Sequence, residues 1–191
     1  MSIELGHYSI ALALALSLAL GIFPMAGAAT GNQKLMSLAR PMAFGVFLFN
    51  AIAFACLMNA FVTHDFSVLL VAKHSNSALP TDLRIAATWG SHEGSMLLWT
   101  MMLAAWTCAV ALYSRSLSNV LRARILAVMG LIGAGFLMFL LFTSNPFTRL
   151  VPPVADGRDL NPLLQDPGMI FHPPLLYMGY VGLSVAFAFA V

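Results

Sequence analysis

Charge is what this sequence has least of. Only 8% of its 191 residues are Asp, Glu, Lys or Arg, against roughly 25% in an ordinary soluble domain. With 60% of the residues hydrophobic, there is more apolar surface than a water-soluble core can use. Cysteine is nearly absent too. Cys56 and Cys108 stand alone in apolar runs with no C-x-x-C, which excludes a thiol-redox motif and a zinc knuckle, so both read as packing residues. Basic residues form no run that could track phosphates, and a net charge of +2 gives no reason to expect nucleic acid as a partner.

What is present is long apolar sequence. Taking about 20 residues as one crossing of a hydrocarbon core about 30 Å thick, five spans emerge. They are Leu5 to Ala28, Pro41 to Val62, Glu93 to Tyr113, Ile125 to Thr143, and Pro173 onward. The fold expected is an all-α polytopic membrane helix bundle, with residues 1–191 forming one membrane domain in the lipid bilayer. The first span ends in "MAGAAT", a small-residue stretch of the kind signal peptidases cut. Its leading segment "MSIELGHYS" carries Glu4 and no Lys or Arg, the wrong charge for a signal peptide, so it reads as a retained helix.

Loop charge sets the orientation. The short connections after spans one and three hold Lys34, Arg40, Arg115, Arg122 and Arg124 with no acidic residue between them. The long connections mix Lys73, Arg84, Arg149 and Arg158 with Asp65, Asp82, Asp156, Asp159 and Asp166. Dense positive charge marks the short loops as cytoplasmic, which places the amino terminus and the two long loops outside. All five histidines, His7, His64, His74, His92 and His172, then share the external side.

Among them His172 has the most informative setting, "DPGMIFHPPLLYMGYVG". Proline is accepted in a first helical turn and pushes the preceding residue toward extended backbone. The expectation is that His172 stands outside a helix begun by Pro173 and Pro174. The positive end of the helix dipole then favours a neutral, metal-ligating ring and attracts carboxylates, a setting that suits an iron porphyrin with its propionates. On these residues alone, a plain helix-start histidine stands level with a ligand.

The second segment is "TWGSHEGSMLLW". Met96 stands where a zinc-protease helix needs its second histidine, so H-E-x-x-H fails. His92, Trp99 and Trp106 share one helical stripe, read as interface anchoring or bundle packing. Gly90 and Gly94 read as a patch for close helix approach, and His92 with Glu93 as an ionisable pair that contacts a neighbour or lines a polar cavity. "GLIGAGF" reads as a close-packing face within a helix. "FSVLLVAKHSNSAL" reads as a short strand or an interfacial segment, and "DLNPLLQDPGM" as an amphipathic piece closed by a turn. Arg149 and Arg158 are candidates to pair with the carboxylates of a ligand.

Four stretches in order, "WGSHEGSMLLW", "FTSNPF", "DGRDLNPLLQDPG" and "FHPPLLYMGYVG", closely resemble the amino-terminal part of the large membrane subunit of cytochrome c haem lyases, in the wider membrane haem-handling family. The resemblance covers essentially the whole chain. It implies haem as cofactor, accepted from a haem chaperone and attached to the C-x-x-C-H motifs of apocytochrome c, with other haem lyase subunits as partners. It implies the bacterial inner membrane with a periplasmic functional face, or the mitochondrial inner membrane for a split organellar version. It matches His172 to the first of two external histidines that ligate the haem iron. His92, Glu93, Arg149 and Arg158 become candidates for site support or propionate contacts, and no catalytic residue is assigned. The family's tryptophan-rich segment, second external histidine and two intramembrane histidines are expected downstream. From Pro174 to Val191 an 18-residue helix spans only about 27 Å, so the chain reads as a fragment or one piece of a split gene. A multi-pass transporter and a non-ligating scaffold are the competing readings.

Reporter fusions in the loops test this orientation directly. Reporters fused after Lys34 and Arg122 are expected to read cytoplasmic, and those after His74 and Asp156 external. One reversed pair contradicts the common sidedness of the histidines.

Overall fold

The computed structural model describes residues 1–191, the side chain of Met169 excepted. Helix accounts for 77% of the chain. Among the described residues the only extended pairing is an isolated antiparallel bridge between Val68 and Arg149. The order is α1 (Ser2–Thr30), α2 (Gln33–Ser37), α3 (Ala39–Val62), α4 (Leu69–His74), α5 (Thr81–Ala87), α6 (His92–Tyr113), α7 (Asn119–Phe142) and α8 (Pro167–Ala190). Five of these are long and apolar enough to cross a membrane: α1, α3 continued from α2, α6, α7 and α8. In hydrocarbon every backbone polar group must find its partner inside the protein, and a helix achieves this within one segment.

Polar residues at the ends fix where the helices begin and stop. Gly31 closes α1 in the left-handed conformation, with φ of 71°, which glycine adopts without steric cost. Side-chain oxygens of Asn32, Ser91, Ser118 and Asp166 accept backbone N–H groups at the starts of α2, α6, α7 and α8, satisfying donors that lack helical partners. Because Ser118 caps α7, Arg122 and Arg124 lie in its first turns and not in a connecting loop. The stretch 69–74 is helix α4, where the sequence suggested a strand or interfacial segment.

The bundle closes through small residues. Ser17 of α1 donates its hydroxyl to the Gly130 carbonyl of α7 at 2.8 Å. A Cβ on Gly130 would lie 2.9–3.0 Å from Leu20 Cγ, Gly21 N and Ser17 O, and one on Gly133 would lie 2.9 Å from Ser17 Oγ. Close backbone approach of this kind supplies packing that the hydrophobic effect cannot provide between helices in lipid. Leu20, Ala39, Ala43, Leu103, Ile125, Leu126 and Met129 fill the core at this level. Ile10, Ala53, Leu57, Phe61, Leu97 and Leu137 fill it toward the long loops. Cys56 and Cys108 are free and buried, and the Cys108 thiol donates to the Ala43 carbonyl at 3.3 Å, a packing role in both cases.

Helix α8 is held differently. Only 11% of its apolar window is buried inside the bundle, against 39–50% for the other four spans.

Substitution at the α1–α7 contact separates close packing from mere small-residue content. Gly130→Val is expected to destabilise the protein by about 1–3 kcal/mol through overpacking. Gly135→Ala, where an added Cβ meets nothing within 4 Å, is expected to stay within about 0.5 kcal/mol. Thermal unfolding in detergent measures both.

Candidate functional site: the loop-bearing end of the bundle

The helices alternate in direction, so His7, the end of α3, the start of α6, the end of α7 and the start of α8 share one end. The side chains confirm this meeting. The His7 ring and the Asn145 amide are 3.1 Å apart, and His92 Nδ1 and Ser144 Oγ share a hydrogen at 2.8 Å. The Arg84 guanidinium reaches from α5 to the Val62 carbonyl at the end of α3 and to the His64 ring at 2.8 Å, satisfying a helix-terminal carbonyl.

The two long loops are joined into a cap. Arg149 binds Glu4 and the Ser67 hydroxyl, with Asp65 at 3.7 Å. Asp156 accepts the Ser77 N–H at 2.9 Å and the Ser77 hydroxyl at 2.7 Å, and Asn76 donates to Asp159 at 3.2 Å. The Arg158 N–H bonds the Ala72 carbonyl at 2.8 Å. Its side chain is exposed, with no described partner.

Beneath this cap the turn from α5 into α6 is unusually tight. The N–H groups of Thr88, Trp89 and Gly90 bond back to the carbonyls of Ile85, Ala86 and Ala87. Ser91 Oγ accepts from the Gly94 N–H, and Ser95 Oγ donates to the Trp89 carbonyl at 2.7 Å. A Cβ on Gly94 would stand 1.8 Å from the Thr88 carbonyl oxygen. Gly94 therefore serves the turn that leads into its own helix, and not the helix–helix contact expected from sequence.

That turn aims the Trp89 indole at α8, and Nε1 donates to the Ile170 carbonyl at 3.1 Å. Between them lies a groove of about 400 Å³ lined by Trp89, His92, Met96, Trp99, Pro173 and Tyr177 among others. Trp99 stacks toward Tyr177 and Phe136 with ring centroids 5.4 and 5.8 Å away. Beyond His92 and Met96 a second groove, about 530 Å³, runs along Ile132, Gly135, Phe136 and Phe139. The His92 ring sits edge-on to Phe139 at 5.9 Å. Pockets of this size with aromatic walls and few polar groups suit a flat apolar ligand.

His172 is placed otherwise than its proline neighbours suggest. Asp166 caps α8 and Pro167 opens it, so His172 is the sixth residue of the helix, and Pro173 and Pro174 lie inside it. The capping Asx residue with proline at the first position outweighs the later pair as a start signal. His172 is exposed and has no described partner. Glu93 is half-buried, also without a described hydrogen bond. Thus His92 and the start of α8 meet at one groove, whereas Arg149 is committed to the cap. Among the described residues no three His, Cys, Asp or Glu side chains form a metal cage. The imidazole that lines the aromatic groove is that of His92; His172 stands exposed one residue before Pro173 of its wall.

These features define a polytopic membrane protein with an aromatic, histidine-bearing groove at the loop-bearing end of its bundle. The chain belongs to the Cytochrome C assembly protein family, whose sequence model matches residues 89–191, from the groove's Trp89 to the last residue. It is similar to the cytochrome c-type biogenesis protein CcmF of Haemophilus influenzae, 58% identical over 192 residues, and of Pseudomonas aeruginosa, 59% identical over 189 residues. These alignments take in 100% and 98% of this chain but 30% and 29% of those proteins; the similarity is to their amino-terminal part. A solved structure titled "Cytochrome c Heme Lyase CcmF" superposes with a TM-score of 0.85 at 28% identity, covering 100% of this chain and 30% of that one.

The cap predicts an acid sensitivity. Hydrogen bonds from the Ser77 hydroxyl, the Ser77 N–H and the Gly157 N–H hold the Asp156 carboxyl below its ordinary range. Its contribution is therefore present above the unfolded carboxyl pKa of about 3.9 and is lost as pH falls through the lower folded value. Pepsin cleavage between residues 63 and 91 is expected to accelerate as pH falls through that window. Pepsin itself titrates over this range, so the readout is the ratio of wild-type to Asp156→Asn cleavage, expected well below one above the window and approaching one within it.

Proposed function

We propose that this chain supplies one half of a haem-holding site in a cytochrome c haem lyase subunit, with His172 as an axial ligand. The observation that carries the reading is an exposed imidazole on the second turn of α8, directly before the proline that lines an aromatic groove. The charge distribution of the loops orients that end outward, on the periplasmic side of a bacterial inner membrane. A haem chaperone would deliver haem there and apocytochrome c would receive it. Bound haem supplies vinyl groups to which the cysteine thiols of a C-x-x-C-H segment add.

The residues of this chain then have separate tasks. His172 would hold the haem iron through an imidazole nitrogen. Trp99, Tyr177 and Met96, which line the groove, would offer apolar area to the macrocycle. His92, tied to Ser144, holds the start of α6 against the end of α7. Arg158 is the exposed cation of the cap and a candidate partner for a propionate. Arg149 has its charge answered by Glu4 and Asp65, which supports a role in holding the cap. Glu93 sits at a helix end and not along a path through the bundle, which gives a transporter reading no support.

Full-length protein carrying this segment tests the assignment. His172→Ala is expected to lose the captured haem and cytochrome c maturation while inserting normally. His172→Cys and His172→Met, which still offer iron a ligand, should retain more haem than alanine does. His92→Ala should lower stability by about 1 kcal/mol yet keep haem. Wild-type haem content and matured cytochrome c in His172→Ala would falsify the ligand role.

A further inference from the structure

We infer that Trp89 is a positioning residue for His172, acting through the backbone of α8. The inference rests on the ligand reading of His172. Pro174 has no N–H, so the carbonyl four residues earlier, that of Ile170, lacks its helical donor. In a membrane-spanning helix a freed carbonyl must be met from elsewhere. The Trp89 indole N–H meets it at 3.1 Å.

The bond falls in the first turns of α8, whose apolar window is 11% buried within this chain. Leu164 of the preceding 3₁₀ turn, lying against Gly90, and Pro173, which shares the groove with Trp89, are neighbouring contacts. Trp89 itself is fixed by the Ser95 hydroxyl on its carbonyl and by a turn that admits only glycine at position 94. His172 lies two residues beyond the bonded carbonyl, so the orientation of the first turns of α8, and of the imidazole they carry, is set by that indole.

A second tryptophan provides the contrast. Trp106 Nε1 donates to the Met178 carbonyl at 3.1 Å, further along the same helix. There the helical donor four residues on is Gly182, which has its N–H, so the Trp106 bond supplements a carbonyl already served. Trp89 answers a carbonyl with no other helical donor, and the two indoles therefore differ in consequence.

The test uses full-length protein purified with haem and compares Trp89→Phe, Trp106→Phe and His172→Ala. Phenylalanine keeps an aromatic ring but loses the N–H together with part of the indole's area, a loss that Trp106→Phe shares and therefore controls for. Trp89→Phe is expected to show several-fold faster deuterium exchange at the Phe171 and His172 amides, independent of haem. It is also expected to show a several-fold loss of bound haem that added imidazole restores. Trp106→Phe should change neither. Pro174→Ala combined with Trp89→Phe gives Ile170 an in-helix donor and should recover both exchange protection and haem.

Unchanged exchange and haem in Trp89→Phe, with haem lost from His172→Ala, overturns the positioning role and leaves the ligand reading standing. Haem lost from Trp89→Phe but restored by neither imidazole nor Pro174→Ala also overturns it, since the tryptophan would then serve the bundle generally. Haem retained by His172→Ala overturns the ligand reading and this inference with it.

Discussion

The approach of α1 to α7 is the constraint on which the rest of the molecule depends. Two apolar helices in lipid gain nothing from hydrophobic burial against each other, so contact has to come from shape and from the few polar groups at hand. Ser17, Gly130 and Gly133 provide both, through a hydroxyl on a bare helix carbonyl and glycine surfaces into which it settles. Once α7 is fixed against α1, its far end delivers Ser144 to His92, Asn145 to His7, and Arg149 to Glu4. The long loops inherit their placement from that alignment. Their own ion pairs are partly exposed and would be weak organisers alone.

Above this rigid core the groove is assembled from two kinds of element. Its α6 wall is built into the bundle, where Leu97, Leu98 and Leu103 are buried around the aromatic stripe. Its α8 wall rests on backbone hydrogen bonds from two indoles and on rings such as Tyr177, with most of the helix outside the packed core. His172, carried on this wall, is exposed two residues beyond the carbonyl that Trp89 holds. Pro174, which leaves the Ile170 carbonyl without a helical donor, thereby creates an acceptor for the Trp89 side chain from the turn before α6.

The five spans were legible because each carries a long apolar run, and the all-α class follows from the same runs. Ends were less legible where caps lie in polar sequence. Ser118 starts α7 ahead of Arg122 and Arg124, and Asp166–Pro167 starts α8 ahead of the more conspicuous Pro173–Pro174. The short motifs were enough to point to the haem lyase family, yet they did not reveal what Trp89 and Gly94 do. The clue was present in a proline pair that strips two N–H groups from a helix. Finding the answering donor needs a contact across 81 residues. The cap was illegible for the same reason, since Glu4 and Arg149 are 145 residues apart and Ser77 and Asp156 are 79 apart.

The most direct measurement is a cryo-electron microscopy map of the full-length protein loaded with haem. The account predicts continuous density from the His172 imidazole to iron, the macrocycle edge against Trp99 and Tyr177, and the Trp89 indole still on the Ile170 carbonyl. Iron held by other residues, with His172 standing clear of the porphyrin, would contradict it.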